Sequence, residues 1–171
     1  MIIGRVYKFG DNVNTDDIYP GRYLSITTDR QEMAKHCFEL AYPDFLKTAK
    51  EGDIIVAGKN FGCGSSREQA ATCLKYFGIS AVVAESFARI FYRNAINLGL
   101  LVLIAPGITN KIDHNDTLEI DLKKGIIKNM RTNEEIKIIP PPEFILEIVA
   151  SGGLVPYLRK RLHIENREGN K

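Results

Sequence analysis

Asp53-Ile54-Ile55-Val56-Ala57-Gly58 is an apolar run of strand length bounded by an acid and a glycine, the pattern of a buried strand. After a glycine-rich loop, Ser66 to Phe77 places Ala70, Leu74 and Phe77 on one helical face, and Gly78 is the residue type that stops a helix in a left-handed turn. Ser80 to Ala84 is a second buried strand. Phe87 to Leu98 repeats the helical pattern through Phe87, Phe91, Ala95 and Leu98, and Leu101 to Ile104 is a third strand. The order βαβαβ predicts parallel strands joined by right-handed crossovers.

On the amino-terminal side, Ile2 to Phe9 alternates loosely and reads as another strand, and Gly10-Asp11-Asn12-Val13-Asn14-Thr15-Asp16-Asp17 is a cluster of turn formers that predicts a loop. Thr28-Asp29 can cap a short helix to about Cys37. On the carboxyl side, Thr117 to Leu122 and Ile126 to Met130 flank Lys123-Lys124-Gly125, a hairpin signal, and Glu134 to Ile139 adds a further antiparallel strand. Pro140-Pro141-Pro142 opens a helix to about Ala150, Gly152-Gly153 ends it, and Val155 to Leu162 is a last helix running into a polar tail counted from about residue 159 to 171. No internal repeat or long linker divides the chain. The expectation is a single domain over residues 1–171, α/β in class, with a mixed, partly parallel sheet flanked by helices.

Composition narrows the function classes. With 44% hydrophobic and 26% charged residues, 171 residues suffice for one buried core. The 23 basic and 21 acidic side chains intermingle and leave a net charge of +2, so there is no basic stripe and nucleic acid is not an expected partner. Cys37, Cys63 and Cys73 have neither metal-ligand nor disulfide-framework spacing, which fits a reduced, cytoplasmic protein with no metal of its own. Neither a signal peptide nor a membrane span is expected, since Met1 to Arg5 runs straight into charged sequence and the apolar stretch near Leu98 to Ile108 is short and holds a proline.

The loop after the first quoted strand carries the chemistry. In Asn60-Phe61-Gly62-Cys63-Gly64-Ser65-Ser66-Arg67-Glu68, two glycines permit a tight turn and Ser65-Ser66-Arg67-Glu68 matches a capping box. A helix amino terminus beside an arginine fork is suited to a carboxylate or phosphate. A plainer reading makes the serines caps only and Arg67 a solvated first-turn residue, and periodicity does not separate the two. Walker-type and dinucleotide glycine patterns are absent, which disfavours a nucleotide.

Three motifs, Asn60 to Glu68, Ser86-Phe87-Ala88-Arg89-Ile90-Phe91-Tyr92-Arg93-Asn94-Ala95-Ile96-Asn97 and Asn14-Thr15-Asp16-Asp17-Ile18, together resemble one family in order and spacing. It is that of the small subunits of 3-isopropylmalate dehydratase and methanogen-type homoaconitase, in the aconitase superfamily, and the likeness runs to about Leu158. The resemblance implies a swivelling β/β/α domain. It also implies a separate large subunit that carries a 4Fe-4S cluster, whose iron acts as a Lewis acid on the hydroxyl of a small-molecule 2-hydroxy acid substrate.

By the same resemblance, Ser65 is the proton-abstracting base, Arg67 binds substrate carboxylate, Gly64 and Ser66 support substrate beside them, and Asp16 orients a cationic group or histidine of the partner chain. Tyr23-Leu24-Ser25-Ile26 forms the loop that senses the variable group of the substrate. Homoaconitase forms carry an arginine there, so its absence implies interconversion of 3-isopropylmalate and 2-isopropylmalate, a step of leucine biosynthesis. Ser25, and Gln69-Ala70-Ala71 in place of His-Ala-Pro, keep homoaconitate, dimethylmalate or another 2-hydroxy diacid open, with Arg22 or a residue of the large subunit as receiver of a third carboxylate. A non-catalytic carboxylate- or RNA-binding module is the alternative of another class. Arg89 and Arg93, one helical turn apart, are expected on a salt-bridged face, Cys63 in packing, and His36, His114 and His163 at the surface or in caps.

Overall fold

The computed structural model describes residues 1–163. In chain order the elements are β1 (Ile2–Lys8), α1 (Thr15–Ile18), α2 (Arg30–Ala34), α3 (Phe45–Thr48), β2 (Ile54–Ala57), α4 (Glu68–Phe77), β3 (Ala81–Ala84), α5 (Arg89–Asn97), β4 (Val102–Ile104), β5 (Thr117–Asp121), β6 (Ile126–Asn129), β7 (Glu135–Lys137), α6 (Glu143–Ala150) and α7 (Leu154–Arg161).

The strands form one sheet in the order β4-β3-β2-β1-β5-β6-β7. The expected βαβαβ unit is present: β2, β3 and β4 are mutually parallel. β1 joins it in parallel beside β2 and pairs on its other edge antiparallel with β5, which makes it the strand where the sheet changes sense. Beyond it β5, β6 and β7 form the antiparallel meander. The sheet curls until its ends approach, and Ile139, just past β7, bridges Ile104 of β4.

This curl explains why β2 and β3 are buried on both faces. Ile55, Ala57, Val82 and Ala84 pack under the helices with Leu74, Phe91 and Ala95. Ile54, Val56, Ala81 and Val83 face the other way and meet Leu118, Ile120, Ile127 and Ile136 of the antiparallel half. The helices therefore cover mainly one face of the sheet, while the other face closes on itself, with Leu146 and Val149 of α6 at its margin. Full burial of such side chains contributes roughly 1.5–3 kcal/mol each against exposure.

Local signals hold at several ends. Gly78 terminates α4 at φ 95° with its N–H on the Leu74 carbonyl, and Asp29 caps α2 through the Glu32 N–H. That helix stops at Ala34 rather than Cys37 because the chain then turns inward: Cys37 and Phe38 are fully buried. The Phe38 N–H donates to the Ile18 carbonyl at 2.8 Å, and its ring stacks on Phe9 at 4.5 Å. The last helix runs to Arg161; residues 164–171 of the expected polar tail lie outside the described residues. No described helix is long and apolar enough to cross a membrane.

Candidate active site

The three quoted motifs meet at the carboxyl ends of β1, β2 and β3, the edge where ligands sit in open α/β sheets. Their backbones are hydrogen-bonded side by side. Gly62 N–H donates to Val13 O at 2.7 Å and Thr15 N–H to Cys63 O at 2.8 Å, while Phe61 N–H donates to Ser86 O at 3.0 Å and Ala88 N–H to Phe61 O at 2.9 Å. The central strip, residues 61–63, is thus held on both flanks. Gly62 makes this possible: its φ is +78°, and a Cβ there would lie 2.2 Å from Cγ of Phe91.

The predicted loop at residues 10–17 is partly helical. Asn14 caps α1, its side chain accepting from Asp16 N–H at 2.8 Å and Asp17 N–H at 2.9 Å, and Asp17 returns the bond to Asn14 N–H at 3.0 Å. This is a complete capping box. Asp17 is therefore occupied by the cap, and the carboxylate of Asp16 is turned to other partners.

The capping box expected at Ser65 to Glu68 does not form. Helix α4 starts at Glu68 with Arg67 as its extended amino-terminal flank and no side-chain cap. Tertiary bonds hold the preceding residues out of the helix. The buried Thr15 hydroxyl donates to the Ser65 carbonyl at 2.8 Å, and the Arg67 guanidinium turns back to the Asp16 carboxylate and the Tyr19 carbonyl. Gly64, Ser65 and Ser66 are consequently exposed, and among the described residues neither serine hydroxyl has a hydrogen-bond partner.

Asp16 and Arg67 form an ion pair within this chain. The same Asp16 oxygen accepts from Gly21 N–H at 2.7 Å. The Arg67 guanidinium, followed by the Gly21 N–H, holds the Asp16 carboxyl below the ordinary carboxylate range. Arg67 is mostly covered, its side chain 18% exposed against 63% for Asp16. The acid presents its free edge to solvent, and the guanidinium is already oriented for a carboxylate.

A cavity of about 260 Å³ opens at this point, lined among others by Thr15, Gly64, Ser65, Arg67, Arg89 and Ile90. Sequence reasoning missed three of these, Thr15, Arg89 and Ile90. Thr15 lay inside a quoted motif, but nothing local marks a hydroxyl whose acceptor is fifty residues away. Arg89 and Arg93 are expected from the sequence to share a salt-bridged or structural face; among the described residues neither side chain makes an ion pair or hydrogen bond, and Arg89 stands at the cavity.

Ser66 and the loop Tyr23-Leu24-Ser25-Ile26 do not line that cavity. Leu24, Ser25 and Ile26 are exposed, and the loop reaches the site through Gly21, where a Cβ would lie 3.1 Å from Arg67 Nη2 and from Asp16 Oδ1. Arg22 is engaged away from the cavity: it donates to the Tyr23 hydroxyl at 2.6 Å and approaches Glu39 to 4.0 Å. His36 stacks on Tyr23, and His114 accepts from Lys8 N–H at 3.2 Å and packs edge-on against Tyr7.

Cys37 and Cys73 are fully buried in the core, and Cys63, partly exposed, directs its Sγ to the Asn12 carbonyl at 3.5 Å. Among the described residues no group of three or more His, Cys, Asp or Glu side chains is placed to hold a metal ion. The donor set of the described residues therefore does not fit an iron-sulfur cluster.

Residues 7–107 match the model of the aconitase C-terminal domain. The small subunit 1 of 3-isopropylmalate dehydratase from Thermotoga maritima is 54% identical over 160 residues, covering 94% of this chain and 96% of the relative. The methanogen homoaconitase small subunit of Methanocaldococcus jannaschii is 54% identical over 171 residues, covering 100% and 99%. A crystal structure of 3-isopropylmalate dehydratase from Methanocaldococcus jannaschii superposes with a TM-score of 0.90 at 55% identity, covering 98% of this chain and 99% of that one. The chain belongs to the aconitase C-terminal domain family, among the small subunits of the 3-isopropylmalate dehydratase and methanogen homoaconitase type.

Proposed function

We propose that this chain, as one swivelling-type domain, is the small subunit of a cytoplasmic hydro-lyase that isomerises 3-isopropylmalate and 2-isopropylmalate in leucine biosynthesis. The observation that carries the site is the convergence of Ser65, with its hydroxyl unpartnered among the described residues, and an oriented Arg67 on one cavity. In this reading Arg67 takes a substrate carboxylate, and Gly64 and Ser66 complete the lip.

Ser65 removes the proton on the carbon next to a carboxylate; hydroxide departs from the neighbouring carbon, leaving a double bond. Readdition with the positions exchanged gives the isomer. A serine alkoxide is too basic to persist in water, so it requires positive potential in a closed, dry site. The Arg67 guanidinium and the amino terminus of α4, three residues beyond Ser65, are the sources in this chain. Closure comes from the large subunit. The iron-sulfur cluster is assigned to that subunit, where it would supply Lewis-acid chemistry to the hydroxyl. Turnover by the isolated small subunit should be negligible.

The isopropylmalate assignment rests on the loop. Leu24, Ser25 and Ile26 bring no charge to the substrate, and Arg22, the candidate for a third carboxylate, is held by Tyr23 and Glu39. An unpaired carboxylate in a closed pocket is strongly disfavoured.

The test is Ser65→Ala in the complex reconstituted with its cluster-bearing large subunit. Loss of kcat by about 10²- to 10⁴-fold with retained substrate binding is expected; unchanged turnover overturns the base assignment. Preference of the wild-type complex for a tricarboxylate overturns the substrate assignment.

A further inference from the structure

The cluster formed by Arg22, Tyr23, His36 and Glu39 lies outside the cavity and has no place in the chemistry above. The Tyr23 ring stacks on the His36 ring with centroids 3.8 Å apart and planes 16° from parallel. The Arg22 guanidinium lies 4.8 Å from the centroid of the same tyrosine ring and donates to its hydroxyl at 2.6 Å. His36 Nδ1 stands 2.8 Å from Glu39 Oε2. Hydrogen bonding from the Tyr23 hydroxyl, and then from His36, holds the Glu39 carboxyl below the ordinary range. The Tyr19 hydroxyl reaches the Tyr23 carbonyl at 3.4 Å.

These contacts link two segments that differ in burial. Tyr23 ends the 3-10 turn Gly21–Tyr23, and the exposed residues 24–26 follow it. His36 and Glu39 flank Cys37 and Phe38, which are fully buried beneath β1. The half-buried pedestal is thus anchored by neighbours in the core, whereas Leu24, Ser25 and Ile26 are exposed. At its other end the loop is tied to the site by the bond from Gly21 N–H to Asp16. Removing the pedestal leaves that tie and the longer Tyr19–Tyr23 bond, and gives Leu24 to Ile26 more positions to take.

We propose that His36 and Glu39 are positioning residues for substrate selection: they clamp Tyr23 and so fix where Leu24, Ser25 and Ile26 stand relative to the cavity. Neither residue touches substrate. The proposal rests on the isomerase reading for the identity of the substrate but not for the clamp itself. A loop held in place before binding adds its full contact to the alkyl group of the substrate, whereas a loose loop must first be ordered. The effect therefore falls on KM and on alkyl-group discrimination, not on the chemical step.

Two measurements test it. The first uses His36→Ala and Glu39→Gln in the reconstituted complex, with 2-isopropylmalate and the shorter 2-methylmalate as substrates. KM for 2-isopropylmalate should rise about tenfold while kcat changes less than about threefold, and the preference between the two substrates should narrow. His36→Phe keeps the stacking face and should restore KM to within about threefold. The second uses the isolated full chain: trypsin should cut after Arg22 faster in His36→Ala than in the wild type. Unchanged KM and cleavage rate in either folded variant, or kcat falling equally on both substrates with KM unmoved, overturns the proposal. If the wild-type complex converts neither substrate, the isomerase reading falls and the cleavage comparison alone decides the clamp.

Discussion

Gly62→Ala is the most direct way to disturb the site through the fold. The residue has φ +78°, so alanine brings about 1–2 kcal/mol of backbone strain. The new Cβ would lie 2.2 Å from Cγ and 2.4 Å from Cβ of Phe91, where carbon contacts settle near ~3.5–4.0 Å. Phe91 is 1% exposed and packed against Phe61 and Phe87 at 5.2 and 6.3 Å between ring centroids. Overpacking of this kind costs about 1–3 kcal/mol. Together the losses come to about 2–5 kcal/mol of folding stability. What movement does occur must open the backbone bonds that align Val13, Gly62 and Ala88, displacing Ser65.

The assay is urea unfolding of the small subunit with kcat/KM of the reconstituted complex, for Gly62→Ala and for Gly107→Ala, whose φ of +73° is similar but whose Cβ would meet nothing within 4 Å. The clash account requires that Gly107→Ala costs only about 1–2 kcal/mol, because backbone strain is all that it adds. A loss below about 1 kcal/mol for Gly62→Ala, or equal losses at the two positions, refutes the reasoning.

Thr15→Val retains shape and removes the bond to the Ser65 carbonyl, so stability should fall by about 1–2 kcal/mol and kcat by about tenfold, read by urea unfolding and steady-state kinetics. Asp116, 4% exposed, accepts from Arg131 Nε at 2.5 Å, Asn129 Nδ2 at 2.7 Å and Asp113 N–H at 2.9 Å, and the Arg131 bond leads the causes that lower its carboxyl to about 2. Because the folded value is depressed, its stabilisation, roughly 2 kcal/mol, is present above about pH 4 and is lost as pH falls toward 2. Urea midpoints across that window should drop less in Asp116→Asn than in the wild type, and equal slopes would count against the assignment.

The sequence by itself determined the parallel unit, the antiparallel hairpin, the end of α4 at Gly78 and the three motifs that carry the family. Each depends on interactions within a few residues: the period of buried side chains, a left-handed turn open to glycine, a short run of chemically specific residues. Tertiary structure decided what those motifs become. The local capping box at Ser65 to Glu68 yielded to Thr15 and Asp16, fifty residues earlier, while an unremarked box formed at Asn14 to Asp17. Arg89 left an expected salt bridge for the cavity, His36 became the base of a clamp, and Ile139 closed the curled sheet onto Ile104. Such pairings depend on where distant segments meet, and neither helical nor strand periodicity encodes a distance between them.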